Sequence, residues 1–219
     1  MVVGLIPAAG HATRLGRQPS SKEVIEVRGR PVMDHLVERM RAADPDELRV
    51  VTRPEKTDVV RHAEALGARV VLGHPSDVTA SLQLGIEGLS PDDEVLIGFP
   101  DSLWEPPDGF SRLLAELRAG AEVALGLFES DELERADVVV CDPDGRVTRI
   151  AVKPEQPPSD VLWGIAATRV RSLRGLTEGT EPGAHFGAMA PQKTVIGIRL
   201  SSEWIDIGTP DTLERVRNS

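Results

Sequence analysis

Tyrosine is absent from the 219 residues, and aromatic side chains supply only 3% of them. A core must therefore be filled mainly by Val, Leu, Ile and Ala. A single cysteine, Cys141, excludes an internal disulfide and any metal cluster built on thiolates; in "DVVVCD" it reads as a small core residue. No apolar run reaches the length of a membrane span. The start, "MVVGLIPAAG", lacks the basic region and long apolar stretch of a secretory signal. These absences lead to the expectation of a cytoplasmic enzyme or binding protein. Positive charge is also in deficit, with a net −10 at neutral pH, which argues against a general nucleic-acid binder. A small anionic ligand is a different matter, because local charge governs it. Residues 1–30 carry Arg14, Arg17, Lys22, Arg28 and Arg30 against only Glu23 and Glu26, a cationic opening on an acidic chain.

The length suits one large domain, or one domain with a smaller lobe, and a 40% apolar content is adequate for its core. Short apolar runs (Val2–Ile6, Leu48–Thr52, Val70–Leu72, Val95–Ile97) read as buried strands. Between them lie helical patterns. Pro31 suits a first turn, and Val32, Leu36, Val37 and Met40 then share one face. Residues 55–66, 79–88 and the Phe110, Leu113, Leu114, Leu117 series repeat at helical spacing too. This alternation predicts a mostly parallel sheet covered on both faces. After residue 120 the pattern becomes more antiparallel, with "DPDG" at 142–145 turning one strand into the next. In "TPDTLERV", Thr209 reads as the N-cap of the last helix and Pro210 as its first turn.

The loop after the first strand holds the main question. Ligands of open α/β sheets sit at the carboxyl ends of parallel strands, and a small-residue loop there can present backbone N–H groups to phosphate. Neither familiar nucleotide loop fits. Gly10 to Gly16 is one residue too long for G-x-x-x-x-G-K-[ST] and is followed by Arg17, and Gly10-His11-Ala12 breaks G-x-G-x-x-G. From these residues alone a wide structural turn with solvated cations stays open.

The longer pattern "PAAGHATRLGRQPSSKEVIEVRGRPVMDH" resembles the signature of the sugar-1-phosphate nucleotidyltransferases, P-A-A-G-x-G-T-R-L followed by P-K-x-L-x-P-V. Among them it looks most like the glucose-1-phosphate thymidylyltransferases, in a short form without a carboxyl-terminal extension. "SDVTASL" resembles their D-G-T-A-x-x-L segment, "VLIGFPDSLW" the strand end that delivers a metal-binding Asp, and "DPDGRVTRIAVKP" the stretch ending in E-K-P. "LWGIAA" is similar to the sugar-facing glycine segment, and "EWIDIGTPDTLERV" to W-x-D-I-G-T-P. These segments stand in family order over nearly the whole chain. The departures are Ala12 for the second loop glycine, Val78 for the base-contacting glycine, Val152 for the Glu of E-K-P, and Asp137 where a glycine usually lies near the sugar.

The resemblance implies an α/β, Rossmann-like fold of the nucleotide-diphospho-sugar transferase type. In it a mostly parallel twisted sheet is flanked by helices and joined to a smaller sugar-binding lobe. The whole of 1–219 is then one nucleotidyltransferase domain. Residues 1–120 bind nucleotide, 121–203 mainly bind sugar, and 204–219 carry a metal-binding Asp and the last helix. It implies attack by a sugar 1-phosphate on a nucleoside triphosphate, with dTTP or UTP preferred. Cytidylyl or guanylyl transfer to another phosphorylated sugar, cyclitol or alcohol is the alternative, as is a non-catalytic nucleotide-sugar binder. Residue by residue, it assigns Arg14, Lys22 and Asp101 to catalysis. Ala8, Ala9, Gly10, Thr13, Arg14, Thr79, Ala80 and Gln83 go to the nucleotide, and Lys153, Gly164, Asp137 and Trp163 to the sugar phosphate. Asp101 and Asp206 would hold Mg²⁺, a hard ion suited to carboxylates and phosphates. No nucleic-acid or membrane partner is expected, and a homo-oligomer is left open. Trp104, Trp163 and Trp204 lie near these positions and read equally well as stacking or core residues.

Overall fold

The computed structural model describes residues 1–11, 20–192, 194–201 and 204–217. The amino-terminal half runs β1 (Val2–Pro7), the small hairpin β2 (Glu26–Val27) and β3 (Arg30–Pro31), α1 (Val32–Arg41), β4 (Glu47–Thr52), α2 (Thr57–Ala65), β5 (Arg69–Leu72), α3 (Val78–Gly85), β6 (Glu94–Gly98), β7 (Ser102–Trp104) and α4 (Gly109–Arg118). The rest runs β8 (Val123–Glu129), β9 (Asp137–Cys141), β10 (Val147–Val152), β11 (Val161–Arg169), α5 (Val170–Leu173), α6 (Pro182–Met189), β12 (Val195–Ser201), β13 (Trp204–Asp206) and α7 (Pro210–Arg217).

Strands β5, β4, β1 and β6 are neighbours in that order, all parallel. Both faces of β1, β4 and β6 are covered, while β5 is the exposed edge of the parallel part. Val2, Ile6, Val50 and Leu96 pack into one core with α1, α2 and α4, while Val3, Leu5, Val51, Val95 and Ile97 pack into another with α3, α5 and α6. That double burial is why the strands read as continuous apolar runs rather than as alternation. Beyond β6 the sheet turns antiparallel, as the change of pattern after residue 120 predicts. β11 pairs with β6 along Ile165–Arg169 and with β8 along most of its length, and at Leu162 it meets β9. The β9–β10 hairpin turns at Asp142–Gly145, where Gly145 takes φ +80°, a conformation that costs glycine little. Cys141 is half-buried at the end of β9 and packs against the second core. α7 is capped as expected, with Thr209 Oγ1 accepting from the Thr212 amide.

Gly164 marks a register shift in β11 between Trp163 and Ile165. A Cβ placed there would lie 2.1 Å from the Trp204 ring, which packs on Phe128 and extends the Trp104–Phe110 aromatic cluster. Gly164→Ala is therefore expected to destabilise the fold by about 1–3 kcal/mol, the cost of overpacking a filled core, and urea midpoints would read it directly.

Candidate active site

One edge of the sheet collects chemistry from many strands. The parallel strands β1, β4, β5 and β6 end there, and the antiparallel strands β9 and β11 begin there. A cavity of about 540 Å³ opens on this edge, large enough for a small-molecule site. Its lining includes Ala9, Gly10 and His11 after β1, Arg53 after β4, Ser76, Asp77 and Val78 after β5, and Asp101 after β6. Asp137, Lys153, Trp163 and Glu181 line the opposite wall.

Lys22, Asp101 and Asp206 meet in this cavity although they are far apart in sequence. β13 pairs with β7 so that Asp206 lies opposite Ser102, and the Ile207 amide donates to the Asp101 carbonyl at 2.9 Å. Lys22 Nζ lies 2.5 Å from Asp101 Oδ2, both side chains mostly shielded from solvent. A small third core explains why these three positions are held. Ile25, Val27, Val32, Leu103, Ile207, Leu213 and Val216 pack together, so each catalytic candidate sits one to three residues from a buried anchor. Burial opposes the charge on Lys22, but Asp101, by charge and hydrogen bond, then Glu23 and Asp206 outweigh it, and its pKa lies above the usual lysine value. Asp101 and Asp206 offer two hard carboxylates, the protein share that Mg²⁺ takes when phosphates and water complete its shell. No cluster of three or more His, Cys, Asp or Glu suited to a metal exists among the described residues. The donor set thus fits a substrate-assisted magnesium site rather than an all-protein cage.

The β1 loop is fastened from behind by residues that sequence reasoning missed. Lys56 Nζ donates to the carbonyls of Ala8 (2.9 Å) and Gly10 (3.1 Å) and to Glu23 Oε1 (2.6 Å). Arg53 Nε donates to the Ala9 carbonyl at 2.8 Å and its Nη2 to the Pro75 carbonyl at 2.7 Å. Fixing three successive carbonyls fixes the loop's peptide planes. Glu23 is fully buried, and its second oxygen has no hydrogen-bond partner among the described residues. Burial pushes its pKa up, with Lys56 pulling only part of the way back.

On the opposite wall, Trp163 Nε1 donates to Asp137 Oδ2 at 3.3 Å, and Lys153 Nζ is hydrogen-bonded to Glu181 Oε1. Burial raises the pKa of Asp137; the Trp163 hydrogen bond and Lys153 oppose the rise, and Glu181 adds to it. Lys153 adopts φ +42°, uncommon for a residue with a side chain, and its amide is held by the Ala136 carbonyl at 3.0 Å.

The cavity thus gathers Ala9, Gly10, Lys22, Asp101, Asp137, Lys153, Trp163 and Asp206 from the sequence expectations. Ala8 lies behind it, committed to the β4 strand and Lys56. Thr13 and Arg14 lie outside the described residues. Gly164 is not among the lining residues; its lack of a side chain admits Trp204, which is. Thr79, Ala80 and Gln83 do not line it either. On α3 the cavity face is Val78 and Ser81, while Thr79 and Gln83 point to the segment before α6. Trp104 is a core residue, and Trp163 and Trp204 line the cavity. Arg53, Arg135 and Glu181 are lining residues without a motif to mark them.

The chain belongs to the MobA-like NTP transferase domain family, whose model matches residues 4–180. It is 26% identical to a UTP–glucose-1-phosphate uridylyltransferase of Haloferax volcanii over 225 residues, covering 94% of this chain and 91% of that protein. It is 29% identical to a 2-C-methyl-D-erythritol 4-phosphate cytidylyltransferase of Nocardia farcinica over 220 residues, covering 94% of each. A crystal structure of a protein named as a glucose-1-phosphate thymidylyltransferase from Bacillus anthracis superposes with a TM-score of 0.88, covering all of this chain and 94% of the other; at 19% identity this shows the shared fold. No helix among the described residues is long and apolar enough to cross a membrane.

Proposed function

We propose that the protein transfers a nucleotidyl group from a nucleoside triphosphate, dTTP or UTP, to a sugar 1-phosphate, releasing pyrophosphate. The observation that carries this reading is one continuous cavity with Lys22, Asp101 and Asp206 on one side and Lys153, Asp137 and Trp163 on the other. Two anions must meet there, so the barrier is largely charge and alignment. The acceptor's phosphate oxygen forms a bond to the α-phosphorus while the bond to the pyrophosphate oxygen breaks. The nucleophile is already ionised, and no general base is needed. Lys22 is placed to neutralise charge where the two phosphates approach, and Lys153 to hold the acceptor phosphate. Arg14, by resemblance, clamps the triphosphate. Asp101 and Asp206 would hold Mg²⁺, which supplies further charge neutralisation on the phosphates. The pinned β1 loop keeps small residues, Ala9 and Gly10, against the triphosphate.

The 29% identity to a cytidylyltransferase supports a second reading, cytidylyl transfer to a phosphorylated polyol. One experiment separates them. Pyrophosphate release is measured with Mg²⁺, crossing ATP, GTP, CTP, UTP and dTTP with sugar 1-phosphates and a polyol phosphate. Turnover confined to dTTP or UTP with a sugar 1-phosphate is expected; turnover confined to CTP with the polyol phosphate would replace the first reading by the second. Asp206→Asn is expected to raise the Mg²⁺ concentration for half-maximal rate roughly tenfold or more, since even indirect support of a metal is worth that much.

A further inference from the structure

Residues 176–181 lead to Glu181 in the cavity wall, and the side chains that fasten them come from α3 and the turn before it. Gln83 Nε2 donates to the Leu176 carbonyl at 2.5 Å, and Thr79 Oγ1 donates to the Thr180 carbonyl at 2.5 Å. The Gly179 amide donates to Asp77 Oδ2 at 2.7 Å, while Asp77 Oδ1 caps α3 through the Ala80 amide. Ser76 Oγ donates to Glu178 Oε1. At its far end the segment delivers Glu181, which accepts from Lys153, and Gly183, where any Cβ would collide with the Asp137 carboxylate. α3 begins on the β5 side, beside the proposed nucleotide half. Lys153 directly follows β10 and Asp137 opens β9, in the proposed acceptor half.

We infer that Thr79 and Gln83 are positioning residues for the acceptor: they dock a strap that sets Glu181, and through it Lys153 and Asp137. This rests on the substrate reading above for the identity of the acceptor half. It departs from the resemblance, which would put both side chains on the base. Helix geometry explains the departure. Thr79 and Gln83 are four residues apart and share a face, and Val78 and Ser81, on another face, line the cavity. The strap also gives the two halves a physical link, because residues 176–180 are held by α3 and the turn before it while Glu181 is held by Lys153.

The test is Thr79→Val and Gln83→Ala, singly and together, each with three readouts: KM for the acceptor, nucleotide affinity by calorimetry with a non-hydrolysable triphosphate, and amide exchange over 176–183. Acceptor KM is expected to rise about fivefold for each lost hydrogen bond. Nucleotide affinity is expected to stay within about twofold, well short of that loss, and exchange at 176–183 to quicken. In the background of Lys153→Met, where the strap has no lysine to set, the KM effect of Gln83→Ala is expected to shrink. A fall in nucleotide affinity matching the acceptor effect would overturn the inference and return both residues to the base. Unchanged exchange at 176–183 would overturn it as well. Wild-type protein silent across the substrate panel would sink the reading of the substrates, and exchange would then decide the docking of the strap by itself.

Discussion

Lys22→Met is expected to lower kcat by about 100- to 1,000-fold, the loss typical of removing one preorganised charge from a developing anionic centre. The side chain is enclosed, so its charge acts through protein more than through water, and Asp101 at 2.5 Å aims it. Mg²⁺ affinity is expected to be retained or improved in the variant, because Asp101 loses a cation that shares its oxygen. Nucleotide binding should fall much less than the rate. Lys22→Arg should not restore activity: a planar fork cannot occupy the position of a compact ammonium beside Asp101. Single-turnover rates with calorimetry of Mg²⁺ and triphosphate would separate these quantities. A loss in kcat below about tenfold would place Lys22 outside the transition state.

Lys56→Met is expected to destabilise the fold by about 3–5 kcal/mol, the cost of leaving one member of a buried ion pair behind. Glu23 is fully buried, its second oxygen has no hydrogen-bond partner among the described residues, and Lys56 Nζ lies 2.6 Å from the first. The pH dependence follows from the direction of the Glu23 shift. A carboxyl with a raised folded pKa favours the folded state most when protonated, and that contribution is lost as pH rises from the usual carboxylate range through the raised value. Without Lys56 the rise is larger, so the defect should be greatest at neutral pH and shrink in mild acid. Urea midpoints for both proteins across that range would show it. Glu23→Leu combined with Lys56→Met should recover most of the stability, since an apolar pair carries no desolvation cost. Activity should not return with it, because the carbonyls of Ala8 and Gly10 would still lack their lysine.

The parts of the site that were legible in the sequence are those tied to strand ends. Asp101 follows an apolar run and Asp206 follows "EWI" before a helix start, but it is the resemblance that singles them out, and the structure brings both to one cavity. Lys22 is one of five cations in the opening, and the resemblance singles it out too. The missed residues have no such signal. Arg53 and Lys56 look like solvated charges in "RPEK", and only the return of β4 alongside β1 brings them under the loop carbonyls. Glu23 carries no mark of burial in the sequence, yet its short segment packs against α1 and α2 and the side chain is fully buried. The resemblance assigns Thr79 and Gln83 to the nucleotide, while both side chains hydrogen-bond the segment before α6, because a motif fixes spacing along the chain and not the rotation of a helix about its axis. Gly164 was read as open to the sugar, whereas a tryptophan forty residues later fills the space above it.

The pairing of β7 with β13 has a consequence for biosynthesis. Asp101 and Asp206 are 105 positions apart, and the short ladder that joins them cannot close until the later strand exists. The four parallel strands are complete by residue 98, whereas α4, α5 and α6, which complete the cover of their faces, come later in the chain. A chain that has made those strands therefore still lacks the second carboxylate. On the proposed reading, a chain cut short before residue 206 is expected to show no turnover.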